Sequence, residues 1–317
     1  MKKVLLTTFP SAFLHYGGGE REITLLNETL NTCGIMSDIY GPVSKSISSY
    51  NAVIHFSMHG GSEQIIDAIN IENVPLILWP NLWFVKEPDA HHIEILERML
   101  QKFKAVIFRS QTEELHFKKY LNLSNKDVIR ISPLVSPKFL RRGISRVFQE
   151  SYSIDNYAIW PGIIEPQKNQ LSAVRAFNDI DCDLVISGRV RDRAYAELCV
   201  AEAGGNIHFI PTMPFGSELH LSALAYSKMV VELPLDFPGT SAVEAAAMGC
   251  HLLLARSKWT EEILGDCCIQ VDPCDSFDVQ QKAMDILKGD FVNHTNKKFT
   301  TIDQAIKPLV EYIEQFC

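Results

Sequence analysis

Two carboxylates, Asp236 and Glu244, stand with seven residues between them in the stretch DFPGTSAVEAAAMG (236–249). Gly239, Thr240 and Ser241 lie between the two and head a run of small residues ending at Gly249. A turn feeding a helix leaves the first N–H groups without intrahelical partners, which makes a ready site for an anion. A carboxylate one turn further in has two acceptor oxygens, and these suit a pair of adjacent hydroxyls, as on a ribose. A purely local reading competes. Ser241-Ala-Val-Glu244 matches the S-x-x-E capping box, with Ser241 as cap and Glu244 reaching back to the cap N–H. The helix dipole also favours a negative charge there.

Cations that could complement an anion occur in two other stretches. Lys168 lies in PGIIEPQKNQ (161–170), just past the strand-like run YAIW, where contact with a phosphate is open to it. SGRVRDR (187–193) places Arg189, Arg191 and Arg193 in one loop after DLVIS. That loop is either an exposed charged turn or a clamp for a diphosphate. Near the N-terminus, YGGGE (16–20) offers three glycines, among them Gly18 and Gly19, that permit close approach to the backbone. It is not a G-x-G-x-x-G, which argues against a nicotinamide dehydrogenase. Taken together, the cations, the Gly-Thr-Ser turn and Glu244 describe a diphosphate with a ribose on one side and a carbohydrate on the other.

Other polar candidates read as structural. His55 and His59 in AVIHFSMHGG sit at a strand end, and His91 and His92 open a helix. Of these, His59 has a claim on a ligand. Asp179, Asp181 and Asp183 precede a strand at its amino end, so they read as solvated turn residues and no metal site is expected. Met213 and Phe215 either approach a nucleotide base or pack as loop residues.

The elements that must position these groups alternate throughout. Strand runs are expected at 4–9, 36–40, 52–56, 75–79, 105–108 and 128–132, then at 157–160, 183–187, 206–210, 229–233, 251–255 and 268–271. Helical spacing joins them, as in Ile23, Leu26, Leu30 and Cys33 before Gly34, and in Ile93, Leu96, Leu100 and Phe103. Near-continuous apolar strands separated by helices imply parallel sheets covered on both faces. Two such halves predict two doubly wound, Rossmann-like α/β domains facing a cleft, with ligands at the carboxyl ends of the strands. The basic, then polar stretch 138–155 marks the boundary. The expected division is 1–147, 148–295 and a closing helix over 296–317 that packs back on the first domain. Pro308 is expected to kink that helix.

The chain has 317 residues, 46% hydrophobic, with a net charge of −8, which disfavours nucleic acid as a partner. No run approaches the roughly 20 apolar residues that span a bilayer. The start MKKVLLTTFP reads as a first strand rather than a leader. Eight cysteines without C-x-x-C or metal spacing fit reduced thiols, and hence a cytoplasmic protein. The basic residues Lys138, Arg141, Arg142 and Arg146 form either a solvated linker or a peripheral contact with anionic lipid. A monomer or weak dimer is expected.

On these residues the sequence resembles the GT-B fold glycosyltransferases, and within them retaining family 4. The resemblance rests on the two carboxylates around a Gly-rich turn, on the small-residue helix ending in Gly, and on Gly162 with Lys168 six positions later. It implies a hexosyltransferase that moves a sugar from a nucleotide-diphosphate donor to a sugar-containing acceptor, which could be lipid-linked, with retention and without a metal or cofactor. It further implies that Glu244 holds the ribose hydroxyls and that Asp236 touches the donor sugar. Gly239, Thr240 and Ser241 would give N–H groups to the distal phosphate, and Lys168 would bind the diphosphate. Gly18 and Gly19 would lie near donor sugar and acceptor.

Three positions depart from the pattern. The family's Arg after the glycine is Ile163 here, so Arg189 or Arg191 must substitute. Pro80 stands at about the position of a donor-contacting His, with Asn81 as the stand-in. Asp236 replaces the usual Glu, one methylene shorter. These departures leave two other readings open: a nucleotide-sugar epimerase of the same fold, and a non-catalytic nucleotide or carbohydrate binder.

Overall fold

A computed structural model describes residues 2–14, 17–58, 60–236, 239–290 and 300–316. All twelve expected strands are present, with edges within a residue or two of their apolar runs. The first six are β1 (Lys3–Thr8), β2 (Met36–Ile39), β3 (Ala52–Phe56), β4 (Leu76–Trp79), β5 (Ala105–Phe108) and β6 (Asp127–Arg130). They form one parallel sheet in the order β2-β1-β3-β4-β5-β6. The second six are β7 (Tyr157–Pro161), β8 (Asp183–Ser187), β9 (Ile207–Ile210), β10 (Met229–Glu232), β11 (Leu252–Ala255) and β12 (Ile269–Val271). Their parallel order is β12-β11-β10-β7-β8-β9.

Each sheet buries side chains on both faces, as its continuous apolar strands require. Alternate residues divide between two cores in the first sheet: Val4, Leu6, Ile54 and Ile107 on one face, Leu5, Val53, Leu78 and Val106 on the other. In the second sheet Trp160, Leu184, Ile186 and Val231 share a core with Ala173, Val174 and Phe177 of the helix Gln170–Phe177.

The chain divides into a unit of Met1–Leu134 with Thr300–Cys317 and a unit of Val135–Phe299. The first division thus falls at 134/135 rather than at 147/148. The reason is the packing of the intervening segment. Phe139 is buried against Phe215 and His220, with ring centroids 5.2 and 5.8 Å away. The Phe148 N–H donates to Ser222 Oγ at 3.1 Å. The expected boundary at 295/296 lies outside the described residues.

The closing segment belongs to the first unit. Ala305, Ile306, Leu309, Ile313 and Phe316 join the core that contains Val4 and Ile54, and Tyr312 donates to Asp127 at 2.8 Å. Pro308 does not kink one helix. It sits in the first two positions of a new one, Lys307–Glu314, after the short helix Ile302–Ala305. There a missing N–H costs no hydrogen bond.

The strand order of the second sheet has a functional consequence. From β7 the chain winds outward through β8 and β9, then returns to the other side of β7 for β10, β11 and β12. The direction of winding reverses between β7 and β10, and in open α/β sheets the crevice at the carboxyl ends of two such strands is where ligands generally bind.

Candidate functional site

Two sequence-distant loops leave those two strand ends and meet. After β7, the short turn Pro166–Lys168 carries Lys168. After β10, the chain runs through Leu233 to Asp236. Lys168 Nζ donates to both carboxylate oxygens of Asp236, at 3.2 and 3.1 Å, and the Leu235 N–H donates to the Gln167 carbonyl at 2.9 Å. The two side chains are 30% and 14% exposed, so the pair is shielded yet reachable.

The loop after β8 closes on the same strand end. The Gly162 N–H donates to the Ser187 carbonyl at 2.9 Å, and a Cβ placed on Gly188 would fall 1.6 Å from the Gly162 oxygen. Only backbone fits there. The contact continues through Ile164 N–H to the Arg189 carbonyl (2.9 Å) and Arg191 N–H to the Ile164 carbonyl (3.1 Å). This stitching orders the three arginines. Arg191 is paired with Glu165 at 2.9 Å, and Arg193 with Glu197 at 2.9 Å. The half-buried Arg189 makes no ion pair among the described residues, and its buried Nε has no hydrogen-bond partner. A guanidinium in this state is suited to pairing with an anion.

The Gly-Thr-Ser turn heads the helix Thr240–Met248, whose cap is Gly239 in extended conformation with no side-chain cap bond. The capping-box reading is therefore corrected. Ser241 is the second helical residue, not the cap, and Glu244 lies in the second turn. Glu244 instead occupies the buried face with Ala242, Val243 and Ala245, only 3% exposed. Thr240 and Ser241 are half-buried, and among the described residues a Cβ on Gly239 would meet nothing closer than Ser241 Oγ at 3.7 Å.

In the first unit, Gly18 and Gly19 open the helix Gly18–Thr32, with Glu20 Oε2 accepting from the Gly17 N–H at 2.9 Å. A Cβ on Gly19 would come 2.9 Å from Phe56 Cε1, whereas one on Gly18 would meet nothing within 4 Å among the described residues. Asn81 has a left-handed backbone, φ 42°, and its Oδ1 accepts from Arg109 Nη2 at 3.1 Å. Arg109 is the centre of a buried network that the sequence reading missed. Its Nη1 reaches Glu22 at 2.6 and 2.8 Å, its Nη2 reaches Glu113 at 2.9 Å, and its backbone N–H reaches Glu113 at 2.7 Å. Burial opposes the Arg109 charge, but Glu113 and Glu22 outweigh it and hold its pKa above the ordinary arginine value. Burial pushes the Glu22 carboxyl up, against the pull of Arg109. A local signal existed: Ser110 accepts from the Glu113 N–H at 2.9 Å, an S-x-x-E start directly after β5.

The remaining candidates take structural places. His55 is fully buried, bonded to Thr7 Oγ1 at 2.9 Å, and burial pushes its pKa down to about 4. His59 and Tyr16 lie outside the described residues. Asp183 pairs with His208 at 2.8 Å, and among the described residues no group of three or more His, Cys, Asp or Glu is placed to hold a metal. Met213 is buried, and Phe215 packs on Phe139 and His220. Arg141 and Arg146 pair with Glu218 and Asp155. Among the described residues no helix is long and apolar enough to cross a membrane.

No family model and no curated relative matches the sequence. Solved structures do match. The chain is similar to Anabaena Alr3699/HepE in complex with UDP and glucose, with a TM-score of 0.78 and 12% identity over 99% of this chain and 100% of that one. It is similar to sucrose-phosphate synthase from Thermosynechococcus elongatus, with a TM-score of 0.75 and 13% identity over 100% and 95%. It is also similar to AviGT4, a glycosyltransferase involved in avilamycin A biosynthesis, at a TM-score of 0.67 and 16% identity over 100% and 98%. The architecture of this chain is thus the GT-B fold of these glycosyltransferases.

Proposed function

We propose that this protein is a glycosyltransferase that takes a sugar from a nucleotide-diphosphate donor and passes it, with retention, to a sugar-containing acceptor. The observation that carries the reading is the meeting of Lys168 and Asp236 at the β7–β10 reversal, together with Arg189, which makes no ion pair among the described residues, on the loop stitched to the end of β7. The glycosyltransferase neighbours, one solved with UDP and glucose, support it.

What must be stabilised is a departing nucleoside diphosphate and an oxocarbenium-like sugar. Lys168, Arg189 and the N–H groups of Thr240 and Ser241 face the diphosphate with fixed positive charge, and Gly162 and Gly239 allow close approach. Arg189, not Arg191, is the replacement for the cation lost at Ile163, because Glu165 already neutralises Arg191. Glu244 takes the ribose hydroxyls. Asp236 exchanges Lys168 for a donor-sugar hydroxyl when the diphosphate arrives. The protein's own cations balance the leaving group, so no step is assigned to a divalent metal. In the retaining step the leaving phosphate oxygen takes the acceptor's proton as the acceptor oxygen bonds to the anomeric carbon on the same face.

On the first unit, Gly18, Gly19 and Asn81 are the proposed contacts to sugar. A lipid-linked acceptor would find Lys138 and Arg142 exposed and, among the described residues, without the ion pairs that hold Arg141 and Arg146.

The test is a thermal-shift screen of nucleotide sugars, followed by transfer assays with the stabilising donor and a panel of glycosides. Stabilisation by one nucleotide class and formation of an α- or β-glycoside with retained configuration is expected. An epimer formed from donor alone would assign the site to an isomerase. Tight nucleotide binding without turnover on any acceptor would make the protein a binder.

A further inference from the structure

Lys168 is a flexible side chain on a three-residue turn, and something must hold that turn against the strand ends. The next residue does so. Asn169 has a left-handed backbone (φ 62°, ψ 36°), ends the turn and caps the helix Gln170–Phe177. Its Nδ2 donates to two carbonyls from separate loops: Leu233, just after β10, at 3.2 Å, and Pro273, after β12, at 2.7 Å. One amide group thereby ties the ends of β7, β10 and β12 together. Asparagine tolerates the left-handed region, so its backbone alone could explain its presence. The two carbonyl acceptors require more, because only an N–H2 on a short side chain satisfies both.

We propose that Asn169 is a positioning residue for the diphosphate site: it fixes the 166–168 turn so that Lys168 Nζ stays at the place it shares with Asp236. This inference rests on the donor-site reading above. Two variants separate side chain from backbone. Asn169→Gly keeps the left-handed conformation and discards both bonds. Asn169→Asp keeps size and backbone tolerance, but sets carboxylate oxygens against two carbonyls.

The experiment is calorimetric titration with UDP, GDP, ADP and UMP of the wild type, Asn169→Gly, Asn169→Asp, Lys168→Ala and the Lys168→Ala/Asn169→Gly double variant, each with a thermal melt. We expect both Asn169 variants to weaken the preferred nucleoside diphosphate about tenfold, the scale of one well-placed hydrogen bond. UMP, which lacks the distal phosphate, should bind unchanged if uridine is the base. In the Lys168→Ala background Asn169→Gly should add nothing, since its effect passes through the lysine. A loss as large in that background as in the wild type, or an equal loss for UMP, would show a structural role and overturn the proposal. So would unchanged diphosphate affinity in both Asn169 variants while Lys168→Ala loses it. If the wild type binds no nucleoside diphosphate, the donor-site reading falls and this inference falls with it.

Discussion

Lys168 and Asp236, 68 residues apart in sequence, share a bidentate ion pair at the point where the second sheet reverses its winding. A shielded pair of this kind contributes little to folding, up to about 1 kcal/mol once solvent screening is allowed for. Its components are more telling than its strength. A cation and a carboxylate held side by side can each be handed to a different part of one ligand. Lys168→Ala should therefore lower turnover about 100-fold or more, with a stability change within about 1 kcal/mol. Asp236→Asn should divide the two parameters, since it frees Lys168 for phosphate while losing the sugar contact. UDP should bind tighter and kcat should fall. Steady-state kinetics beside calorimetry checks this; a parallel loss of both would assign Asp236 to nucleotide binding.

The arginine loop gives a second expectation. Arg191 is neutralised by Glu165, whereas Arg189 is not paired among the described residues. Arg189→Met should weaken nucleoside diphosphate about tenfold, and the salt dependence of binding should become shallower. Arg191→Met should leave affinity within about twofold, because that charge is already balanced. The reverse order in a titration over ionic strength would move the phosphate clamp to Arg191.

Glu244 sits in the buried face of its helix, one turn beyond the helix start, and is not part of a capping box. Glu244→Gln should thus spare the helix start and act on the ligand, weakening nucleotide affinity by about 10- to 100-fold through the loss of a charged acceptor for the diol. A deoxyribose nucleotide serves as the control. It lacks one of the two hydroxyls, so the variant should discriminate less between UDP and dUDP than the wild type does. Unaltered discrimination would remove Glu244 from the ribose.

These residues show what a single sequence makes legible. The central strands were readable because burial on both faces demands unbroken apolar runs, whereas the edge strand MSDI, half-buried and interrupted by Ser37 and Asp38, gave only a weak signal. The strand-end placement of Lys168 was readable because an apolar run shows where its strand stops; the role of the residue was not. Pairings were not. Nothing in the order of residues says that Glu165 takes Arg191 and leaves Arg189, since that depends on the backbone contact between Gly162 and Gly188. The S-x-x-E pattern misled at Ser241 because the helix begins two residues earlier than it predicts, with Gly239 in the extended cap position. The same pattern at Ser110 is a real helix start that also marks a buried arginine. The Arg109–Glu22 bond spans 87 residues and carries no local periodicity.

His55 gives a pH dependence with a definite direction. Desolvation favours its neutral form and pushes its folded-state pKa from 6.5 down to about 4. Between those values the unfolded chain binds the proton and the folded chain does not, so stability rises with pH. The contribution is fully present above about pH 6.5 and is lost as pH falls toward 4, by up to about 3 kcal/mol. Denaturant unfolding of the wild type and His55→Gln at pH 7.5 and 4.5 checks it. The wild type should lose more stability on acidification than the variant, which keeps a polar group toward Thr7 without the titration. Equal losses would mean that the ring is not the source.

Gly18 and Gly19 adjoin each other, yet they should answer differently to the same change. A methyl on Gly19 would meet Phe56 Cε1 at 2.9 Å, and Phe56 is itself held edge-on by Trp79, ring centroids 5.1 Å apart. The ring has little freedom to yield, so Gly19→Ala should cost about 1–3 kcal/mol through overpacking. A methyl on Gly18 would meet nothing within 4 Å among the described residues, and alanine is the better helix former at an exposed position. Gly18→Ala should thus leave stability unchanged or raise it slightly. If Gly18 is a ligand contact, its methyl will instead be felt in turnover: KM for sugar should rise while the melting temperature holds. A Gly18→Ala enzyme with wild-type kinetics would make Gly18 a helix-start glycine only, and would leave Gly19 as a packing residue beneath Phe56.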